Sequence, residues 1–278
     1  MEKDFHDAVV IFIDLLGTQD RTQFDGWYEV YSIFNRIMHE EIKLDKSHHN
    51  TIYKRVMQIF SDCAYLIYDY KDDVEENKKD KYKLMCTACY NTDKVFIEFL
   101  KNGFLARGAM TYGPIYYEQE KSLFFGPAMN IAYKLESECA KYPRMIIDPK
   151  YAENLYNHNE RMYRNNGKIL KQDTDDYYYL HYLNRFEIGY NELEGKCIKD
   201  EILTLCNKYL ERTYEDEQKK LSIQSKYQWL KNYIQHSIPN TNASTSIDIT
   251  NEEEMKKLAE QELKEIQSIL KQNTSSNT

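Results

Sequence analysis

The chain has 278 residues, of which 42% are hydrophobic and 14% aromatic, with 25 tyrosines and a formal net charge of −8. That acidity excludes nonspecific nucleic-acid binding, which needs clustered Lys and Arg to neutralise phosphates, but a small anionic substrate can still be held by metal and a few local donors. No apolar run reaches the roughly 20 residues of a membrane helix, and Met1-Glu2-Lys3-Asp4 lacks the basic-then-apolar layout of a signal peptide, so a cytoplasmic protein is expected.

In chain order, residues 7–14 form a continuous apolar run ending in Asp14, the pattern of a strand buried on both faces. Gly17 allows a sharp turn. Apolar residues from Trp27 to Ile42 recur at helical spacing and predict a helix over 24–42, followed by a polar loop over 43–50. Residues 51–60 and 63–69 read as a hairpin turning on Ser61-Asp62. The mixed-charge run 71–83 is expected to be a solvated loop or helix start. A second helix follows from Met85 to Leu100, stopped by Asn102-Gly103. Cys86 and Cys89 lie inside that helical pattern, and no partner pair follows at zinc spacing, so they read as reduced core thiols.

A second hairpin is expected at 104–117, turning at Tyr112-Gly113-Pro114. Gly126-Pro127 opens a helix over 127–141, with Pro at the first helical position where its missing N–H costs nothing. A strand over 142–148, a helix over 149–157, a loop over 159–175 and a tyrosine-rich strand over 176–183 complete an α+β fold, a mixed sheet flanked by helices. The expected division is a main domain over 1–190, a helical extension over 191–238, a linker over 239–250, and an amphipathic helix with a disordered tail over 251–278.

The chemistry-bearing residues stand at the strand ends. Asp14 and Asp62, each at the mouth of a strand, suit a two-metal site for phosphoryl transfer with carboxylate oxygens as magnesium or manganese ligands. Spacing alone equally allows Asp14 to end a strand and Asp62 to make a turn. Asn130 and Lys134 are four apart on one helical face and can hold a ribose oxygen and a phosphate as charge develops, or can be an exposed polar face. Arg107 interrupts the apolar strand Phe104-Leu105-Ala106-Arg107-Gly108, either to reach a base edge or phosphate or to snorkel to water.

Phe12-x-Asp14-x-x-Gly17, Ser61-Asp62, Arg107-Gly108, Gly126-Pro127-Ala128-x-Asn130-x-Ala132-Tyr133-x-Leu135-Glu136 and Tyr142-Pro143-Arg144-x-Ile146-Ile147-Asp148 occur in the order seen in class III nucleotidyl cyclases. The last two most resemble the bacterial Pycsar pyrimidine cyclases, which make cyclic UMP or cyclic CMP in anti-phage defence. The resemblance covers residues 7–183. It implies a cyclase fold acting as a head-to-tail homodimer, with active sites at the subunit interface. It further implies Asp14 and Asp62 as ligands of two divalent ions, Mn2+ or Mg2+, and Leu15, Gly17 and Thr18 around the triphosphate. Asn130 and Lys134 take the positions that support the transition state. Arginine is usual at the second, and lysine keeps the charge but loses the bidentate fork. Gln58 and Leu123 stand where purine cyclases carry base-reading polar residues, which fits a pyrimidine. Arg107 matches a base-contacting arginine by motif, and Tyr53 a base-contacting tyrosine by approximate position.

The expected reaction is attack of the 3′-hydroxyl of UTP, or alternatively CTP, on the α-phosphorus with loss of pyrophosphate. The product would act on a separate effector protein. The rival expectation is a catalytically silent cyclase-like module that binds nucleotide or a partner through residues 197–271.

Overall fold

The apolar run at the start of the chain becomes the middle of the sheet because it pairs on both edges. In the computed structural model, which describes residues 4–18, 23–47 (side chains to 40), 51–162 (side chains to 160), 168–189 and 191–239, β1 (His6–Leu16) lies between β3 (Cys63–Tyr70) and β4 (Leu105–Glu118), antiparallel to both. β2 (Tyr53–Phe60) pairs outside β3. On the other side come β6 (Met145–Ile147), β8 (Tyr178–Leu180) and β7 (Leu170–Gln172), in the order β2-β3-β1-β4-β6-β8-β7, with β5 (Leu123–Phe125) paired to the end of β4. The β4–β6 pair is parallel, so the sheet is mixed and the class is α+β.

Strand alternation splits the side chains of β1 between two cores. Val9, Ile11, Ile13 and Leu15 enter the larger one, shared with Phe34 of α1 (Phe24–Ser47), Phe99 of α2 (Lys81–Lys101), Leu155 of α4 (Pro149–Met162), Ile202 of α6 (Glu192–Glu211) and Leu230 of α7 (Glu217–Ser237). Ala8, Val10 and Phe12 enter a smaller one, closed by Ala128, Met129 and Ala132 of α3 (Pro127–Cys139). A short helix, α5 (Asn184–Glu187), follows β8. Because α3 lies over β1 and β4, the β2–β3 hairpin keeps an open stretch of the same face, with Gln58, Cys63 and Tyr65 half-buried and Phe60 exposed.

Several boundaries differ from the sequence expectation. Tyr112-Gly113-Pro114 makes no turn: β4 runs straight through, with His6 opposite Ile115 and Asp7 opposite Pro114. An eleven-residue partner strand outweighs local turn propensity there. Helix α1 continues to Ser47 through the stretch expected to be loop, which contains neither Gly nor Pro. Helix α2 starts at Lys81, because Asp80 caps the N–H groups of Tyr82 and Lys83. Strand β6 is shorter than expected, β5 and β7 were not expected, and α4 runs to Met162.

The helical extension is built into the main body, which spans residues 1–239 as one compact unit. The Arg144 guanidinium is fully buried beside the rings of Tyr142 and Tyr179 and pairs with Asp173 and Asp175. Trp229 of α7 donates its indole N–H to Asp173 (2.7 Å) and stacks on Tyr142 (6.0 Å, 4°). The Tyr233 hydroxyl accepts from Leu183 N–H (3.1 Å) and meets His181 Nδ1 (2.8 Å). Apart from Pro239, the expected linker over 239–250 and the helix and tail over 251–278 lie outside the described residues. Among the described residues, no helix is long and apolar enough to cross a membrane. Cys86 and Cys89 are buried free thiols.

Candidate active site

The alternation that sends Phe12 towards α3 puts Asp14 on the same face. Asp14 lies opposite Cys63 on β3 and Arg107 on β4. The β2–β3 turn, with Ser61 at φ 51°, sets Asp62 beside the end of β1. Two bonds tie it there: Leu15 N–H donates to Asp62 O (3.0 Å), and Thr18 Oγ1 donates to the Asp62 carboxylate. Leu15 and Thr18 are buried, while Gly17, at φ 80°, is exposed between them. The segment from Leu15 to Thr18 thus folds over the hairpin tip and brings both carboxylates to one rim.

Arg107 neutralises part of this charge. It donates to Asp14 Oδ2 from Nε (3.3 Å) and Nη2 (3.2 Å), and Nε also lies 2.5 Å from Glu136 Oε1. The following Gly108 is required by packing, since a Cβ there would stand 2.5 Å from the carbonyl oxygen of Phe12. Glu136 is buried on α3, four and eight residues beyond Ala132 and Ala128, and so shares their inward stripe.

Burial raises the Asp14 carboxyl above its ordinary value, Arg107 offsets this, and the neighbouring Asp62 charge adds to the rise. Burial pushes Glu136 up to about 7 against the opposing pull of Arg107. Burial, with the charges of Asp14 and Asp62, pushes the Cys63 thiol up to about 11. Half-buried Lys226 on α7 lies close enough to Arg107 and Asp14 to feel both charges, and burial lowers its ammonium below the usual range.

No cluster of three or more His, Cys, Asp or Glu suited to a metal occurs among the described residues. Two hard carboxylates on one rim, Asp14 raised by burial and to a lesser degree by the Asp62 charge, still fit magnesium or manganese, which take one or two protein carboxylates and complete their shell with water and phosphate.

The remaining expected residues are not gathered around the aspartates of one chain. Asn130 and Lys134 lie on the exposed side of α3, facing away from the stripe that carries Glu136. Tyr53 begins β2, about 25 Å along the strand from the turn. Its hydroxyl accepts from Asn91 of α2 (3.2 Å) and its ring meets Tyr68 (6.1 Å). That is the helix-covered face, so the expected base contact by Tyr53 is corrected: strand alternation turns it away from Asp14 and Asp62. Sequence reading missed Glu136 and Lys226 as neighbours of the site. The i, i+4 stripe Ala128-Ala132-Glu136 was a visible signal for the first, and the second had none, because α7 reaches the sheet only through tertiary packing.

No protein-family model matches the chain, and no curated protein matches it. Among solved structures, the monomeric guanylyl cyclase domain of the RhoGC fusion protein from the aquatic fungus Blastocladiella emersonii is 18% identical, over 64% of this chain and 96% of that one, with a TM-score of 0.44. The catalytic core of a rhodopsin-guanylyl cyclase with converted specificity, in complex with ATPαS, is 17% identical over 64% and 97%, with a TM-score of 0.41. A bacterial light-regulated adenylyl cyclase is 13% identical over 53% and 44%, with a TM-score of 0.34.

Proposed function

We propose that the chain is a nucleotide cyclase that converts UTP to cyclic UMP and pyrophosphate, with a separate effector protein responding to the product in anti-phage defence. The observation that carries this reading is the convergence of Asp14 and Asp62, held by the Leu15 N–H bond and by Thr18. The ordered motifs from Phe12 to Asp148 support it from the sequence side.

Asp14 and Asp62 would hold two divalent ions, manganese or magnesium, which supply Lewis-acid activation of the 3′-hydroxyl and charge neutralisation at the phosphates. The backbone from Leu15 to Thr18 lies beside the carboxylates and is suited to line the triphosphate. Arg107 contributes positive charge at the base or phosphate end once Asp14 has another cation to bind. Asn130 and Lys134, exposed on the outer side of α3, would serve the site of a second protomer in a head-to-tail homodimer.

The choice of a pyrimidine rests on Gln58 and Leu123. Gln58 pairs with Tyr65 on the open stretch of the sheet face, and Leu123 is exposed, where purine cyclases carry base-reading polar groups. UTP is favoured over CTP.

The test incubates purified protein with UTP, CTP, ATP or GTP and manganese, beside Asp62→Asn. Cyclic UMP that vanishes in the variant is the expected result. Cyclic CMP would make the chain a cytidylate cyclase, and a dominant product from ATP or GTP would overturn the reading of Gln58 and Leu123. Nucleotide binding without product from any of the four would leave a silent cyclase-like module.

A further inference from the structure

Lys226 is a cation outside every motif that suggested the site. Lys226 and Trp229 are three apart and share a face of α7. Trp229 is anchored by its bond to Asp173 and its stack on Tyr142. Tyr142 leads into Arg144, whose carbonyl accepts the N–H of Gly108 (3.1 Å), the neighbour of Arg107. This face of α7 is therefore carried to the end of β4 where Arg107 meets Asp14.

The backbone at Lys226 is held in place. Tyr227 is buried, and its ring stacks on Tyr209 of α6 (4.3 Å, 4°). Arg107 is already shared between Asp14 and Glu136. The Lys226 ammonium makes no ion pair or hydrogen bond among the described residues, although it is half-buried beside that guanidinium. An ammonium partly withdrawn from water, within range of the Arg107 and Asp14 charges and bonded to no carboxylate, is suited to an anion.

We propose that Lys226 binds the phosphate chain of the nucleotide held at Asp14 and Asp62, which makes the α6–α7 pair part of the substrate site. The identity of the ligand rests on the cyclase reading above, and its chemistry is that of a di- or triphosphate. A phosphate chain engaging Lys226 docks α7 against the rim where the metal carboxylates stand, so a segment beyond the motif-bearing 7–183 sets affinity for the substrate.

The test titrates inorganic pyrophosphate, with manganese present, into the wild-type chain, Lys226→Met and Lys226→Arg, with circular dichroism as the check on folding. Lys226→Met keeps the aliphatic stem and is expected to weaken pyrophosphate binding at least about tenfold, while Lys226→Arg retains most of it. With UTP, the loss should fall on KM more than on kcat. Unchanged affinity in Lys226→Met overturns the proposal, and so does an equal loss in Lys226→Arg, which would point to packing. Should Lys226→Met fail to fold, Lys226→Gln is judged by the same criterion. Cyclic nucleotide production with unchanged pyrophosphate affinity in Lys226→Met sinks this inference alone. Lys226-dependent pyrophosphate binding without product from any triphosphate sinks the cyclase reading and leaves the anion site standing.

Discussion

Arg107 stands directly across the ladder from Asp14 and holds its carboxylate while also pairing with Glu136 on α3. One guanidinium thus compensates two carboxyl groups that burial would otherwise leave charged at high cost. Arg107→Met removes that compensation. The expected loss of stability is about 2–4 kcal/mol at pH 8 in metal-free protein. At pH 5 the loss should be clearly smaller, because Glu136, pushed up to about 7, then carries a proton. Urea denaturation at the two pH values measures both numbers, and equal losses would show that Arg107 does not compensate Glu136.

Glu136 itself should impose a pH dependence opposite to that of an ordinary salt-bridged acid. Its folded value of about 7 lies above the ordinary 4.5, so between those values the folded state binds more protons than the unfolded state. Stability from this group is therefore present at low pH and is lost as pH rises from 4.5 to 7. Glu136→Gln should become more stable relative to wild type across that window, by up to about 3 kcal/mol. Denaturation curves from pH 5 to 8 check it, and a constant difference between the two proteins would refute it.

What could be read in advance follows the range of the forces involved. The β1 run, the Ser61-Asp62 turn and the Gly126-Pro127 helix start are local patterns, and each forms where it was expected. The rim shared by Asp14 and Asp62 was legible because Asp14 lies close to the end of an apolar run and Asp62 in the turn of the next hairpin. The straight course of β4 through Gly113-Pro114 was not, since the eleven-residue partner strand that enforces it lies far away in sequence. Tyr53 was placed by approximate position alone, and strand alternation over one hairpin turned it to the wrong face. Glu136 had a local trace in the Ala128-Ala132-Glu136 stripe, but its pairing with Arg107 and the approach of Lys226 depend on how α3 and α7 pack against the sheet.

The clamp between α7 and the sheet should be measurable through Trp229. Trp229→Leu removes the indole bond to Asp173, the stack on Tyr142 and the edge contact with Tyr179 (5.5 Å). It also leaves Asp173 with one donor fewer beside the buried Arg144. A loss of about 3 kcal/mol is expected, together with weaker pyrophosphate binding if α7 carries Lys226 to the site. A thermal melt and the same titration test the two effects. Wild-type melting behaviour would mean that the α7 clamp does not stabilise the sheet.

The outward direction of Asn130 and Lys134 sets the last expectation. On the homodimer proposal, each site takes Asp14 and Asp62 from one protomer and Asn130 with Lys134 from its partner. Asp62→Asn and Asn130→Ala should then each be inactive alone, with rate losses of about a hundredfold or more. Mixed in equal amounts and allowed to exchange, they form hybrid dimers in which one site collects both defects and the other collects neither. Half the dimers are hybrids and half their sites are intact, so about a quarter of wild-type activity should return. A site completed within one chain would give no recovery on mixing. The exposure of Asn130 and the burial of Glu136 on a single thirteen-residue helix are the physical reason to expect recovery.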